Sequence, residues 1–138
     1  MKVIESIWTK IQLAIAALGG ALGYFLGGLD GLLLALIVFV VLDYITGVMV
    51  AVIDKTLSSA VGFKGIFRKI IIFCLVGVAH ILDVNIIGTG SGLRTAVIFF
   101  YLSNEGVSIL ENSALLGLPI PEKLKNILAQ LREGEEKS

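Results

Sequence analysis

The chain has 138 residues, 57% of them hydrophobic and only 16% charged, with eleven basic side chains balancing eleven acidic ones. An ordinary soluble domain carries about 25% charged residues, so a mean hydropathy of +0.97 points to the bilayer as solvent. The zero formal charge offers no basic balance for nucleic acid, and the length fits a single membrane domain over 1–138 with no soluble catalytic module beside it.

A membrane span needs about 20 largely apolar residues. The first candidate, ~11–29, carries no charge between Lys10 and Asp30. Lys2 and the stretch Ala14-Ile15-Ala16 resemble the parts of a secretory signal, but the apolar run continues to Leu29, so this segment is expected to be retained as a span. Gly19, Gly23, Gly27 and Gly31 recur every four residues and form a smooth stripe for close helix packing. The stripe suits either the chain's own second span or another copy. Gly27-Gly28-Leu29-Asp30-Gly31 is short and glycine-rich, so spans one and two are expected to form an antiparallel hairpin.

The second span, ~31–53, is interrupted only by Asp43. Ala35, Phe39, Asp43, Gly47 and Ala51 lie four apart, which puts the carboxyl on an interface face. Such a group costs roughly 2.5–3.5 kcal/mol at the bilayer centre on insertion scales, so it demands a partner. Tyr44 and Thr46 are donors nearby in sequence but on other faces. Residues 54–69 read as a longer basic loop facing headgroups.

The third span, ~70–88, holds the single cysteine, Cys74, which reads as a small buried hydrophobe, and places Gly77, His80 and Asp83 on one face. A lone membrane histidine is more often a helix contact than a ligand, and no second histidine or cysteine pair has ligand spacing, so no metal site and no cofactor are expected. Thr89-Gly90-Ser91-Gly92 reads as a tight turn without the ending of a phosphate-binding loop. The fourth span, ~95–112, aligns Glu105, Ser108 and Asn112. Counting about 1.5 Å per residue from the charged ends puts Asp43, His80 and Glu105 near one plane. Pro119-Ile120-Pro121 then breaks the helix, and an amphipathic helix follows over ~121–133, with Leu124, Ile127, Leu128 and Leu131 on its apolar face. That helix is expected on the inner membrane surface or paired with a copy of itself.

With four spans, ten of the eleven basic residues fall on one side and only Arg94 on the other, whereas three spans would split them six to five. The basic excess marks the cytoplasmic side. The fold expected is therefore all-α and integral to the membrane: four transmembrane helices in two hairpins, both termini inside, plus a C-terminal amphipathic cytoplasmic helix. No nucleophile elbow or zinc signature is present, so the chain does not read as an enzyme.

From about Leu42 onward the chain resembles the toxin-secretion and phage-lysis holin family. The resemblance runs through Leu42-Asp43-Tyr44-Ile45-Thr46-Gly47, Ser58-Ser59-Ala60-Val61-Gly62-Phe63-Lys64-Gly65 and Ala79-His80-Ile81-Leu82-Asp83. It continues through Asn104-Glu105-Gly106-Val107-Ser108-Ile109-Leu110-Glu111-Asn112 and Gly117-Leu118-Pro119-Ile120-Pro121-Glu122-Lys123-Leu124. Leu115 stands where family members often carry a basic residue, and the first span matches only in character. The resemblance implies a multi-pass protein of the bacterial cytoplasmic (inner) membrane, encoded by a phage or prophage. Its partners would be the lipid bilayer, other copies of itself, and functionally an endolysin or secreted toxin released through lesions that cause host-cell lysis. Asp43, Gly47, His80, Asp83, Glu105, Ser108 and Asn112 then become a candidate polar lining or oligomer interface. A small four-helix proton-coupled transporter or ion channel is the main rival, because four spans with a membrane carboxylate suit that too.

Overall fold

The computed structural model describes residues 1–136, with side chains through Gln130. Its described residues form five α-helices and no strand: α1 (Lys2–Phe25), α2 (Gly31–Ile53), α3 (Ser59–Leu82), α4 (Gly92–Leu115) and α5 (Glu122–Glu136), with a π-helical turn at Asp83–Ile87 extending α3. Two segments, Gly31–Ile53 and Ser59–Ile87, are long and apolar enough to cross a membrane.

Local chemistry sets the helix ends. Asp30 caps α2 by accepting from the Leu33 N–H at 2.9 Å, and Ser58 caps α3 by accepting from Val61 at 3.2 Å. Each side chain satisfies one of the donors that a helix start leaves without an intrahelical partner. Because Ser58 is a cap, α3 begins at Ser59, and the basic loop expected over 54–69 shrinks to Asp54–Ser58. Lys64, Arg68 and Lys69 therefore ride on a helix.

At the core, Leu33, Leu36 and Val40 of α2 meet Ile72 and Val76 of α3 and Ile98 and Leu102 of α4. α4 is central: α2 covers it most extensively, with α5 and α3 on its other sides. This placement explains how a helix too polar to qualify as a span on composition is housed, since Arg94 and Glu105 are buried against protein and of its charges only Glu111 is exposed. Lipid tails are as apolar as leucine and supply no hydrophobic drive between helices, so packing fit and polar bonds must specify the bundle.

The expected α1–α2 hairpin does not form as a packed pair. α1 has no buried residue and touches α3 instead, where the Phe25 ring sits directly on Gly77. Nor do the four glycines make one helical stripe. α1 ends at Phe25, Gly27 has φ +87°, and Gly31 opens the next helix. Only Gly19 and Gly23 share a helix face, and both look onto open space. Cys74 is exposed, contrary to the buried hydrophobe expected.

α5 matches the expected amphipathic helix but folds back along α4. Leu128 is its one buried described residue, while Leu124 and Ile127 stay about half exposed. Leu131 lies beyond the described side chains.

Candidate functional site

Three helices deliver one charge each to the same point. Asp43 of α2 stands ten residues before that helix ends, Lys69 of α3 ten residues after its helix begins, and Glu105 of α4 ten residues before its end. At 1.5 Å per residue each lies about 15 Å from the same end of the bundle. The Lys69 ammonium donates to Asp43 Oδ2 and Glu105 Oε2, both at 2.7 Å. The three side chains are only 16%, 12% and 11% exposed respectively.

Asn112, two helical turns further along α4, completes the cluster by donating to Asp43 Oδ1 at 3.1 Å and Thr46 Oγ1 at 2.9 Å. It lies over Gly47, where an added Cβ would come within 3.7 Å of the amide nitrogen. Thr46, which the sequence places on another face, is thus drawn in, its own hydroxyl donating back to Leu42 O at 2.8 Å. Tyr44 reaches toward the start of α3, with its ring on Gly65 and its hydroxyl 3.4 Å from Gly62 O.

The cluster opens into a crevice of about 680 Å³, lined by Asp43, Gly47, Lys69, Glu105, Ser108 and Asn112 at one end and by Ala51, Leu57 and Val61 toward the α2–α3 turn. One cation faces two carboxylates beside a space that admits water. That arrangement holds charge inside an apolar bundle without a catalytic nucleophile, and no metal-holding group occurs among the described residues.

His80 and Asp83 do not join this layer. Counting from Lys69 as a membrane boundary misplaces His80, because Lys69 is itself well inside α3. His80 sits about 16 Å further along the helix, its Nδ1 beside Gly27, where an added Cβ would approach within 2.7 Å. Asp83 is 1% exposed and accepts from the Leu93 and Arg94 N–H groups at 3.1 and 2.9 Å. It thereby caps α4, whose own N-cap Ser91 makes no capping bond.

Arg94 builds a second polar centre at this other end. Its guanidinium donates to Leu26 O at 2.7 Å, Gly28 O at 2.9 Å and Asp30 Oδ2 at 2.7 Å, and so binds the α1–α2 turn to the start of α4. A cation is favoured at these carbonyls because the end of α1 carries the negative end of its helix dipole. Gly27 must be glycine twice over, since its φ is +87° and a Cβ would strike Arg94 Nε at 2.7 Å. Hydrogen bonding to Arg94, and then to the Leu33 N–H, holds the Asp30 carboxyl below the ordinary aspartate range.

Sequence reasoning found Asp43, Gly47, Glu105, Ser108 and Asn112, and the structure brings them together. It missed Lys69 and the Arg94–Asp30 pair. The signal for Lys69 was Ser58, a helix cap that moves the start of α3 eleven residues earlier than hydropathy alone suggests.

The chain matches the model of the bacteriophage holin family over residues 20–133. It is 45% identical to an uncharacterized Listeria monocytogenes protein, Lmo0128, across 92% of this chain and 93% of the relative. An uncharacterized 14.9 kDa protein from the nagH 3′ region of Clostridium perfringens is 43% identical across 93% and 97% of the two chains. An uncharacterized Halalkalibacterium halodurans protein, BH0965, is 35% identical across 92% and 97%. No solved structure matches significantly. With the match covering most of the sequence, including every residue of the buried cluster, the chain belongs to the bacteriophage holin family.

Proposed function

We propose that this protein is a phage or prophage holin of the bacterial inner membrane. It crosses four times with both termini in the cytoplasm, accumulates as an oligomer, and opens lesions through which an endolysin, or in a toxin locus a toxin, leaves the cell. The observation that carries this reading is the Asp43–Lys69–Glu105 cluster inside a bundle of a holin-family chain. In the resting packing the charges satisfy one another. In a larger assembly the faces bearing Asp43, Gly47, Glu105, Ser108 and Asn112 turn to water. The cluster makes the resting state metastable, because exchanging one another's charges for water removes the desolvation penalty of burying them.

Co-expression with a cytoplasmic endolysin tests the function: abrupt lysis only when both are present supports it, and slow growth without lysis refutes it. Asp43→Leu and Glu105→Leu shift the lysis time without abolishing membrane insertion; unchanged timing in both would overturn the role given to the cluster.

The crevice beside two carboxylates also favours a second reading, a proton-coupled transporter or ion channel. Flux of a small cation into proteoliposomes, without release of any protein-sized cargo, would select it.

A further inference from the structure

α4 carries Gly106 beside Glu105, and that glycine is a seat. A Cβ there would come within 2.9 Å of Leu128 Cδ2 and 3.2 Å of Phe39 Cε2, so the missing side chain makes a notch between α2 and α4 that Leu128 fills. Leu128 is 6% exposed, whereas Leu124 and Ile127 on the same helix are 43% and 47% exposed. Among its described residues, α5 is therefore held by one inserted side chain and a shallow face. Its described residues include Glu122, Lys123, Lys125 and Asn126, which suit water, so it can leave the seat without stranding a wholly apolar helix. The hinge is short: Gly117 at φ +90°, then Leu118 to Pro121 before α5 begins. A short hinge beside a self-complementary seat favours exchange of the same element between copies, a low-cost route to assembly.

We propose that the Gly106 notch is an interface for a second copy of this chain, occupied in the assembly by the partner's α5 with its Leu128 in the same place. Exchange keeps every contact of the seat and joins two chains through it. It also ties assembly to the helix that carries Glu105, since the notch is the next residue. This inference rests on the holin reading only for the statement that copies assemble.

The test uses two full-length, differently tagged versions in a Cys74→Ser background, one with Gly106→Cys and the other with Leu128→Cys, co-expressed in membranes and treated with a short bis-maleimide. In the exchanged pair the seat narrowed by Gly106→Cys receives the shortened side chain and the native seat receives native Leu128, so size favours the mixed dimer. A mixed-tag cross-linked dimer at least five-fold above a control with Leu57→Cys in place of Leu128→Cys is expected; a yield equal to the control overturns the proposal. Ile127→benzoylphenylalanine leaves the notch untouched and guards against misfolding of the Gly106 variant. In a mixture of isotopically heavy and light copies, photolysis should link light α5 peptides to heavy α4 peptides, and linkage confined to peptides of one isotope overturns exchange. Lysis with endolysin is scored separately on the unsubstituted chain, so failure of exchange and failure of the holin reading are distinguishable.

Discussion

Lys69 shows why a membrane charge is judged by its partners rather than by its own cost. Asp43 and Glu105 would each be expensive alone, but they share one ammonium at 2.7 Å, and Asn112 covers a remaining oxygen of Asp43. Removing one member of a buried pair strands the others and typically costs about 3–5 kcal/mol, whereas replacing the whole set by apolar groups is often neutral or stabilising. Lys69→Met is therefore expected to lower stability by roughly that amount, and Asp43→Leu/Lys69→Met/Glu105→Leu to recover most of it. Thermal unfolding in detergent micelles checks both, and a triple variant as unstable as the single one would refute the account. Asp30 gives a prediction with a definite sign. Its folded carboxyl is held below the ordinary value by Arg94 and the Leu33 N–H, so its contribution is present above the unfolded value of 3.8 and is lost as pH falls through the lower folded one. Stability measured from pH 6 downward should drop less steeply in Asp30→Asn than in the parent, and parallel profiles would contradict this.

Among the elements, α2, α4 and α5 were legible because their signals are local: an apolar run, a polar face repeated at helical spacing, and a proline break before an amphipathic stretch. The start of α3 was not legible from hydropathy, which marks where lipid-compatible composition begins and says nothing of a helix that extends beyond it. The placement of α1 was illegible for a different reason. Its glycines permit close approach to any neighbour, and the choice is made by Phe25 meeting Gly77 and by Arg94 gripping the turn, which are contacts distant in sequence. Enlarging the Gly77 site should dislodge α1. Gly77→Leu is expected to cost about 1–3 kcal/mol by overpacking, and Phe25→Ala should restore part of that loss when combined with it. A double-mutant cycle on thermal unfolding measures the coupling; strictly additive effects would mean that the ring and the glycine do not share a site.

For the molecule as a whole, the two polar centres lie toward opposite ends, and this bears directly on topology. The Asp43–Lys69–Glu105 cluster communicates through its crevice with the α2–α3 turn, while Arg94 and Asp30 fasten the connections at the other end. Moving Lys69 from a loop into the bundle removes one charge from the basic side, yet Lys2, Lys10, Lys55, Lys64 and Arg68 still share it with the basic residues of the tail. On the proposed four-span topology, that excess puts the α2–α3 turn on the cytoplasmic side. In a Cys74→Ser background, Leu57→Cys should react with an impermeant maleimide only after cells are opened, whereas Gly90→Cys should react in intact cells. Leu57 is 47% exposed and Gly90 lies in the open turn before α4, so neither substitution disturbs a buried contact, and the strain that a cysteine meets at the Gly90 φ of +75° falls on that exposed turn. The reverse labelling would invert the bundle and turn the crevice outward, and labelling of both sites in intact cells would mean that one of the intervening segments does not cross. With the expected pattern, the water-admitting crevice faces the cytoplasm, where the proposed holin function would have an endolysin wait, and the lone outer arginine becomes the fastening of the far side.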